Sequence, residues 1–428
     1  MRLILTNPHI HYYGKTVRNF LLHNKHIIKY PFIIDCYMRG KQNNVAVLID
    51  GTRSSFNELG VRFKFYPHFF SYLEFFFWCI LNRINPLRFK IYFDINKLNP
   101  KRDIVLNFSF TTLDAFPRNN NKIVFHKYGG LVFTHITHYL RNTKVIAENI
   151  SRISNNILVA ENNLVKNIYF KHFFPKEKRV YQLPFCFHNR FKNTKHFTER
   201  TNKCFAVGTY SKLGQEYELF WGKNPSFHPM REKIYEAADS TISPYIDSYI
   251  SSFDDARSLN QIRQGDSIFI KWSKKYLPYF ILVKIIPNFF TRYYQFNIVE
   301  KYNEYRMFIS PEEVFGLPSI NVFEGMACGS ALVAIDDQMY KDLGLIPSFH
   351  YITYKENDLN DLLKVVQYYQ NHPAALELIA RQGCEFIREH FNEESVAKTF
   401  WKDLEYFSNK FEKGEPAFQC SFNIGKED

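Results

Sequence analysis

SPEEVFGLPSINVFEGMACGSALVAID, residues 310–336, is the stretch on which the reading of this chain turns. The run RMFIS (Arg306–Ser310) leads into it with the short apolar pattern of a closing strand. A loop carrying Glu312, Glu313, Gly316 and Pro318 follows. The spacing then predicts a helix from about Ser319 to Cys328 and a second apolar strand over Ala331–Ile335. Ser319 is a good N-cap, and Gly329 stands where a left-handed residue ends a helix. Ile320, Phe323 and Ala327 share one helical face that can pack on a sheet. Glu324 lies on the same helix inside an uncharged run from Val314 to Ala334. Burying an unpaired carboxylate is costly, so this residue needs a reason.

Outward from that stretch, the second half of the chain begins with a strand at Cys204–Val207, followed at once by Gly208, Thr209 and Tyr210. Helical patterns follow around Pro229–Ala238 and Ala256–Arg263. Beyond residue 336, His350–Tyr354 reads as a strand, and Asn357 can cap a helix over Asp358–Gln370. Pro373 suits the first turn of a helix running to about His390, and Asn392 can cap the last helix, with Glu393 and Glu394 at its positive end. Toward the N-terminus, strands are expected at Arg2–Thr6, Val45–Asp50, Ile104–Phe108, Lys122–His126 and Ile157–Ala160. Short apolar strands with long connections argue for a parallel sheet covered on both faces. The basic, polar stretch Pro184–Thr201 reads as an interdomain linker, and residues after about Gly414 as a tail.

Composition sets the bounds. The chain has 428 residues, 46% of them hydrophobic, so it can build more than one core and is not a disordered chain. A net charge of +13 favours an anionic partner such as nucleic acid, lipid headgroups or phosphorylated ligands. The seven cysteines (Cys36, Cys79, Cys186, Cys204, Cys328, Cys384, Cys420) include no C-x-x-C pair, which indicates neither a zinc ribbon nor a disulfide framework and favours a reducing compartment. The N-terminus reads as a first strand rather than a signal peptide. HFFSYLEFFFWCIL, residues 68–81, is intensely apolar but shorter than the roughly 20 residues that span a bilayer. It and Tyr276–Phe290 could each lie in a membrane interface with neighbouring cations on headgroups, or be buried core.

A strand, a loop and a helix N-terminus form a place to hold phosphate, because the first amides are unpaired and the helix dipole is positive there. A carboxylate further along the helix could accept two hydrogen bonds from a vicinal diol, such as the ribose of a nucleotide diphosphate. The alternative is a solvent-facing glutamate on an ordinary helix. From spacing alone both stand.

The run FGLPSINVFEGMACGSALVA resembles the donor-site signature of GT-B glycosyltransferases, especially the large retaining group called family 4. Phe315-Gly316 and Glu324-Gly325-Met326-Ala327-Cys328-Gly329 match its Phe-Gly loop and its Glu-Ala-Met-Ala-x-Gly helix in order. Downstream, His350–Tyr354, His372-Pro373 and Ile379-Ala380-Arg381 agree as well. The family's first glutamate usually stands eight positions before the helix glutamate, a position that here is Gly316. Glu313, directly before Val-Phe-Gly, fits that role in a loop three residues longer.

The resemblance implies an α/β chain of two Rossmann-like domains facing a central cleft (GT-B), with C-terminal helices crossing back to the first domain. The expected division is 1–190 on the acceptor side, 191–395 for the nucleotide sugar, and 396–428 for the returning helix and tail. The implied enzyme, a hexosyltransferase-like glycosyltransferase, moves a sugar from a nucleotide-diphosphate sugar to a glycan or lipid-linked acceptor in surface polysaccharide or lipopolysaccharide biosynthesis, retaining the anomer. By the same resemblance Glu313 is the catalytic glutamate, Glu324 the ribose ligand, and Gly208, Lys212, Arg231, Gly316, Ser319, Ile320 and Asn321 the donor-binding set. No cofactor and no metal are expected, so Asp254-Asp255 and Asp336-Asp337 read as loop and helix-start acids. His135 or His138 could contact the acceptor or act as base, although a lone histidine is more often structural. The expected location is cytoplasmic, at the inner face of the membrane through residues 68–90, with no nucleic acid as partner. The competing readings are a sugar-nucleotide epimerase on the same architecture and a non-enzymatic polyanion-binding protein. The latter lacks a compact cation cluster interleaved with aromatics and leaves Glu324 unexplained.

Overall fold

Leu3, Ile4, Leu5, Ala46, Val47, Leu48, Val105 and Leu106 are almost wholly buried, as the near-continuous apolar strands of a parallel sheet must be. A computed structural model describes residues 1–11, 44–49, 67–108, 125–136, 143–177, 180–252, 268–269, 272, 296–310 and 313–414. These form two units, Met1–Phe185 with Glu393–Asp428, and Cys186–Asn392.

The first unit holds a seven-stranded sheet of β1 (Arg2–Thr6), β2 (Val45–Leu48), β3 (Lys90–Tyr92), β4 (Asp103–Phe108), β5 (Val132–His135), β6 (Asn156–Ala160) and β7 (Tyr181–Gln182). The spatial order is β3-β2-β1-β4-β5-β6-β7 and every described pairing is parallel. Helices α1 (Pro67–Leu81), α2 (Thr143–Ile150) and α3 (Ile168–Phe173) belong to its connections. Strand succession reverses between β1 and β4. Such a switch point opens a crevice at the carboxyl ends of the strands.

One strand differs from expectation. Lys122–His126 is not a strand where it is described, since Phe125–Lys127 is a single 3-10 turn. The strand comes one segment later, at Val132–His135. Tyr128 donates its hydroxyl to the Asp103 carbonyl at 2.5 Å, and a β-carbon on Gly130 would lie 2.7 Å from the Pro100 carbonyl oxygen. The glycine therefore lets the chain pass close against the β4 entry before the strand begins.

The second unit repeats the plan with β8 (Thr201–Tyr210), β9 (Ile246–Ser252), β10 (Tyr305–Ile309), β11 (Ala331–Ile335) and β12 (Ile352–Tyr354), in the order β12-β11-β10-β8-β9 and again parallel. Its helices are α4 (Pro229–Glu236), α5 (Ile298–Glu304), α6 (Ile320–Ala327), α7 (Leu359–Asn371) and α8 (Pro373–His390). Its switch point lies between β8 and β10. The cap of α7 is Asp358, whose carboxylate accepts the Asp361 N–H at 3.0 Å, while Asn357 instead takes the left-handed conformation at φ 57°. The stretch Pro184–Thr201 is for the most part a fixed piece of this unit. Arg200 is 3% exposed and donates to the carbonyls of Lys195, Tyr302 and Cys328.

The closing helix α9 (Glu393–Glu412) packs within the first unit. Phe407 meets Phe133 edge-on with centroids 5.4 Å apart, and Tyr181 donates its hydroxyl to Asp403 at 2.6 Å. The expected α/β class, with two Rossmann-like parallel sheets and a C-terminal helix returning to the first unit, is the observed one.

Among the sequence expectations, the helix at Ala256–Arg263, the segment Tyr276–Phe290, Glu312, His138 and the tail after Gly414 lie outside the described residues.

Candidate functional site

The candidate residues of the second unit lie on segments that leave its switch point. Strands β8 and β10 are neighbours and parallel, so the segments leaving their carboxyl ends share one edge of the sheet. From β8 come Gly208 and, after the strand, Lys212. From β10 come the Glu313–Gly316 loop and the start of α6.

At the end of β8, Gly208 adopts φ 130°, and a β-carbon there would lie 2.6 Å from Arg231 Nη2. Arg231, on α4 and 8% exposed, donates from Nη1 to the Thr209 carbonyl at 2.9 Å. A guanidinium is thus laid against bare backbone at the carboxyl end of β8. Lys212 forms an ion pair with Glu232 of the same helix.

A lobe spanning residues 211–227 follows. Its ends pair through Leu213 N–H to the Pro225 carbonyl at 2.8 Å and Phe227 N–H to the Ser211 carbonyl at 2.9 Å. Three of its rings converge on the wholly buried Phe315. Trp221 stands edge-on at 4.7 Å between centroids, Phe227 at 5.4 Å and Tyr217 at 6.2 Å. The Phe-Gly loop turns at Gly316, φ 68°, whose N–H donates to the Glu313 carbonyl at 2.9 Å. Glu313 is half-buried just ahead of this turn.

Ser319 caps α6, its Oγ facing the Asn321 N–H at 3.4 Å. Two glycines let this helix lie close. A β-carbon on Gly325 would come 2.5 Å from the Phe308 ring of β10, and one on Gly329, at φ 77°, 2.5 Å from Asn193. The far end is held by two arginines. Arg200 donates to the Cys328 carbonyl at 2.8 Å and Arg388 to the Ala327 carbonyl at 2.9 Å, placing positive charge on the negative end of the helix.

Glu324 sits between these ends, 7% exposed; its carbonyl accepts the Cys328 N–H at 3.3 Å, whereas its carboxylate accepts no hydrogen bond among the described residues. Burial pushes its carboxyl up to about 8, and the charge of Arg190 pulls the other way. Arg190 in turn lies over the Phe191 ring at 4.6 Å, with burial lowering its guanidinium and Glu324 opposing that shift. Sequence reasoning missed Arg190 because it lies in the basic stretch taken as a linker. A 134-residue separation from Glu324 leaves no local periodicity that could reveal the pairing.

In the first unit, His135 ends β5, is 1% exposed, and has Nε2 4.0 Å from Oε1 of the equally buried Glu161, just past β6. His9, after β1, lies 3.9 Å from Glu74 of α1, and burial pulls its imidazole down to about 3, so it is neutral. Asn7, Asn107 and Asn162 add further buried polar side chains at the same carboxyl edge. Glu161 was not singled out in the sequence, since it stands alone in its own segment.

Asp337 accepts the Met339 N–H at 2.7 Å as a helix cap, and Asp336 pairs with Lys341 at 2.8 Å. Among the described residues no three His, Cys, Asp or Glu side chains come together as a metal site would require, and no helix is long and apolar enough to cross a membrane.

Residues 322–419 match the model of glycosyl transferase family 90. That span opens within α6, just before Glu324. The motif resembles family 4, whereas the matching model is that of family 90. No curated protein matches the chain. Among solved structures, HepE of Anabaena in complex with UDP aligns over 95% of this chain and 100% of its own, at 10% identity and TM-score 0.48. Sucrose-phosphate synthase of Thermosynechococcus elongatus aligns over 95% and 99%, at 10% identity and TM-score 0.46. A glycosyltransferase of Rickettsia africae aligns over 96% and 98%, at 12% identity and TM-score 0.44. Residues 322–419 are glycosyltransferase sequence, carried on a chain of two Rossmann-like parallel α/β units.

Proposed function

We propose that this glycosyltransferase takes its sugar from a nucleotide-diphosphate sugar and passes it to a glycan or lipid-linked acceptor in the biosynthesis of a surface polysaccharide or lipopolysaccharide, with retention at the anomeric carbon. The observation that carries the reading is Glu324: a buried carboxylate without a hydrogen bond from the described protein, on the helix that opens at the β8/β10 switch point. A ribose diol supplies two donors to such a carboxylate and offsets its desolvation. The diphosphate is then assigned to the α6 amino end, with the amides of Ile320 and Asn321 behind the Ser319 cap, and to the carboxyl end of β8, with the backbone at Gly208 and the cation of Arg231. Lys212 serves the same charge if it exchanges Glu232 for phosphate.

In the reaction the bond from the anomeric carbon to the diphosphate oxygen breaks and a bond to an acceptor hydroxyl oxygen forms. The hydroxyl proton leaves with the departing diphosphate or a base. Charge developing on the leaving group is what Arg231 and the helix end stabilise. Glu313, on the loop beside the helix start, is the carboxylate assigned to the sugar, with Gly316 setting its turn. His135, beside Glu161 in the first unit, is assigned to the acceptor. No step uses a metal or another cofactor.

A thermal-shift screen with UDP, GDP, CMP and their sugar conjugates tests this. A ligand that binds only the folded chain raises the midpoint, by about 2.7 kcal/mol of stabilisation at a hundredfold excess over Kd. One nucleotide class should do so, and Glu324→Gln should abolish the shift. No response to any nucleotide, together with salt-dependent RNA binding, overturns the reading.

A further inference from the structure

Helix α1 is oriented against the usual rule. A surface helix of a water-soluble domain buries its apolar residues and exposes its polar ones. Here Ser71 and Glu74 point inward, 1% and 4% exposed, alongside Phe75, Trp78 and Cys79. Outward point Phe69, Phe77 and Ile80, each more than half exposed, on the same face as the half-buried Leu73 and Phe76. These five residues recur at i, i+4, i+7, i+8 and i+11, which is one continuous stripe. The stripe extends past the helix. Leu87, on the next turn, is 81% exposed. Phe93 after β3 is also exposed, and it meets α1 through His68 at 5.7 Å and Tyr72 at 6.4 Å.

Charge in this segment falls on one side of the balance. Between residues 67 and 102 the exposed ionic groups are Arg83, Arg88, Lys90, Lys97, Lys101 and Arg102 against Asp94 alone, because Glu74 is buried. A protein partner that covered the stripe would require only apolar surface. The exposed cations of the same segment add a requirement for negative charge, which an anionic bilayer interface presents densely. At 15 residues α1 is about 22 Å long, too short to cross the hydrocarbon but suited to lie along it.

We propose that α1, with Leu87 and Phe93, is a membrane-docking face that lies flat in an anionic lipid interface, Phe77 and Ile80 entering the acyl boundary and Arg83, Arg88 and Lys90 meeting headgroup phosphates. This assignment does not depend on the reaction proposed above, and its test reads no nucleotide.

The full chain is floated with vesicles of phosphatidylcholine alone and of phosphatidylcholine with one-third phosphatidylglycerol. The expected result is association with the anionic vesicles only, weakening as salt is raised. The double variant Phe77→Ser/Ile80→Ser should bind at least about tenfold more weakly, and Arg88→Glu/Lys90→Glu should lose the preference for anionic lipid. Circular dichroism checks that the variants fold. Leu87→Ser, on a separate turn, repeats the apolar test should the double variant fail that check. Absence of binding by the parent chain at low salt overturns the proposal, as does binding that the apolar variants leave unchanged. Sedimentation equilibrium adds a third outcome that overturns it: a dimer broken by Phe77→Ser/Ile80→Ser in a chain that ignores vesicles would assign the face to a second copy.

Discussion

Arg231 occupies the space that a side chain on residue 208 would need. Its Nη2 lies 2.6 Å from where a β-carbon would be, and Gly208 itself sits at φ 130°, which L side chains rarely adopt. Gly208→Ala therefore carries two costs, backbone strain of about 1–2 kcal/mol and expulsion of a buried guanidinium from its contact with the Thr209 carbonyl. The expected outcome is a lower unfolding midpoint and nucleotide-sugar binding weakened about tenfold or more. Isothermal titration and denaturant unfolding read the two effects separately. An alanine variant that unfolds and binds like the parent would contradict this contact.

The protonation of Glu324 links folding and binding to pH. In the unfolded chain its carboxyl ionises near 4.5, whereas in the folded chain it keeps its proton up to about 8. Folding is thus coupled to proton uptake between these values. The contribution of this group to stability is fully present below the lower value and falls as pH rises through the window, by at most about 1.4 kcal/mol per unit. Glu324→Gln should flatten the decline in unfolding free energy between pH 5 and pH 8. Binding has the opposite sign, because a diol needs the ionised acceptor. Affinity for a nucleotide sugar, whose phosphates do not titrate in this range, should rise up to about tenfold per unit toward pH 8 and then level off. A flat affinity profile would separate Glu324 from the ribose.

Trp221 bears on the position of Glu313 at second hand. It covers Phe315, and Phe315 anchors the loop that turns at Gly316. Trp221→Ala leaves Gly208, Arg231 and Glu324 in place while loosening that anchor. Turnover should fall about tenfold or more and the nucleotide dissociation constant should change by less than about threefold, since a small misplacement of a reacting group is costly to the rate. Trp221→Phe, which keeps a ring against Phe315, should restore most of the turnover. Equal losses in binding and turnover would mean that the lobe merely supports the whole unit.

What the sequence disclosed, and what it withheld, follows from range. The α6 region was legible because its signals are local: Ser319 as cap, Gly329 as left-handed terminator, and the apolar face between them all lie within one short window. Gly325 was legible only as a motif position, because its reason is the Phe308 ring one strand away. The α8 boundaries, Pro373 to His390, could be read from a proline at the first turn and an aromatic-Asn break at the end. The strand Val132–His135 was read one segment early because Lys122–His126 has an equally good apolar run, and the bond from Tyr128 to Asp103, 25 residues away, leaves no local mark in the sequence. Arg190 and Arg200 read as linker cations because the Glu324 carboxylate that faces the first, and the Tyr302 and Cys328 carbonyls that anchor the second, are more than 100 residues distant. Side chains whose role is to join distant segments carry no periodic signature of their own.

Arg200 offers the test of that long-range clamp. Its guanidinium, 3% exposed, bonds the carbonyls of Lys195, Tyr302 and Cys328 and the Asn193 side chain at 2.6 Å. One residue thereby ties the entry of the second unit to the end of α5 and the end of α6. Arg200→Met keeps the stem and removes the donors, leaving three carbonyls to find other partners in a dry environment. The cost should be about 3–5 kcal/mol, seen as a lower denaturant midpoint with an unchanged slope. Arg200→Lys should recover little, since a single ammonium cannot reach the several directions a planar fork serves. The companion contact from Arg388 to Ala327 addresses the same helix end, so Arg200→Met and Arg388→Met together should cost less than the sum of the two alone. Strict additivity in that double-mutant cycle would show that the two arginines hold separate structures rather than one clamped end of α6.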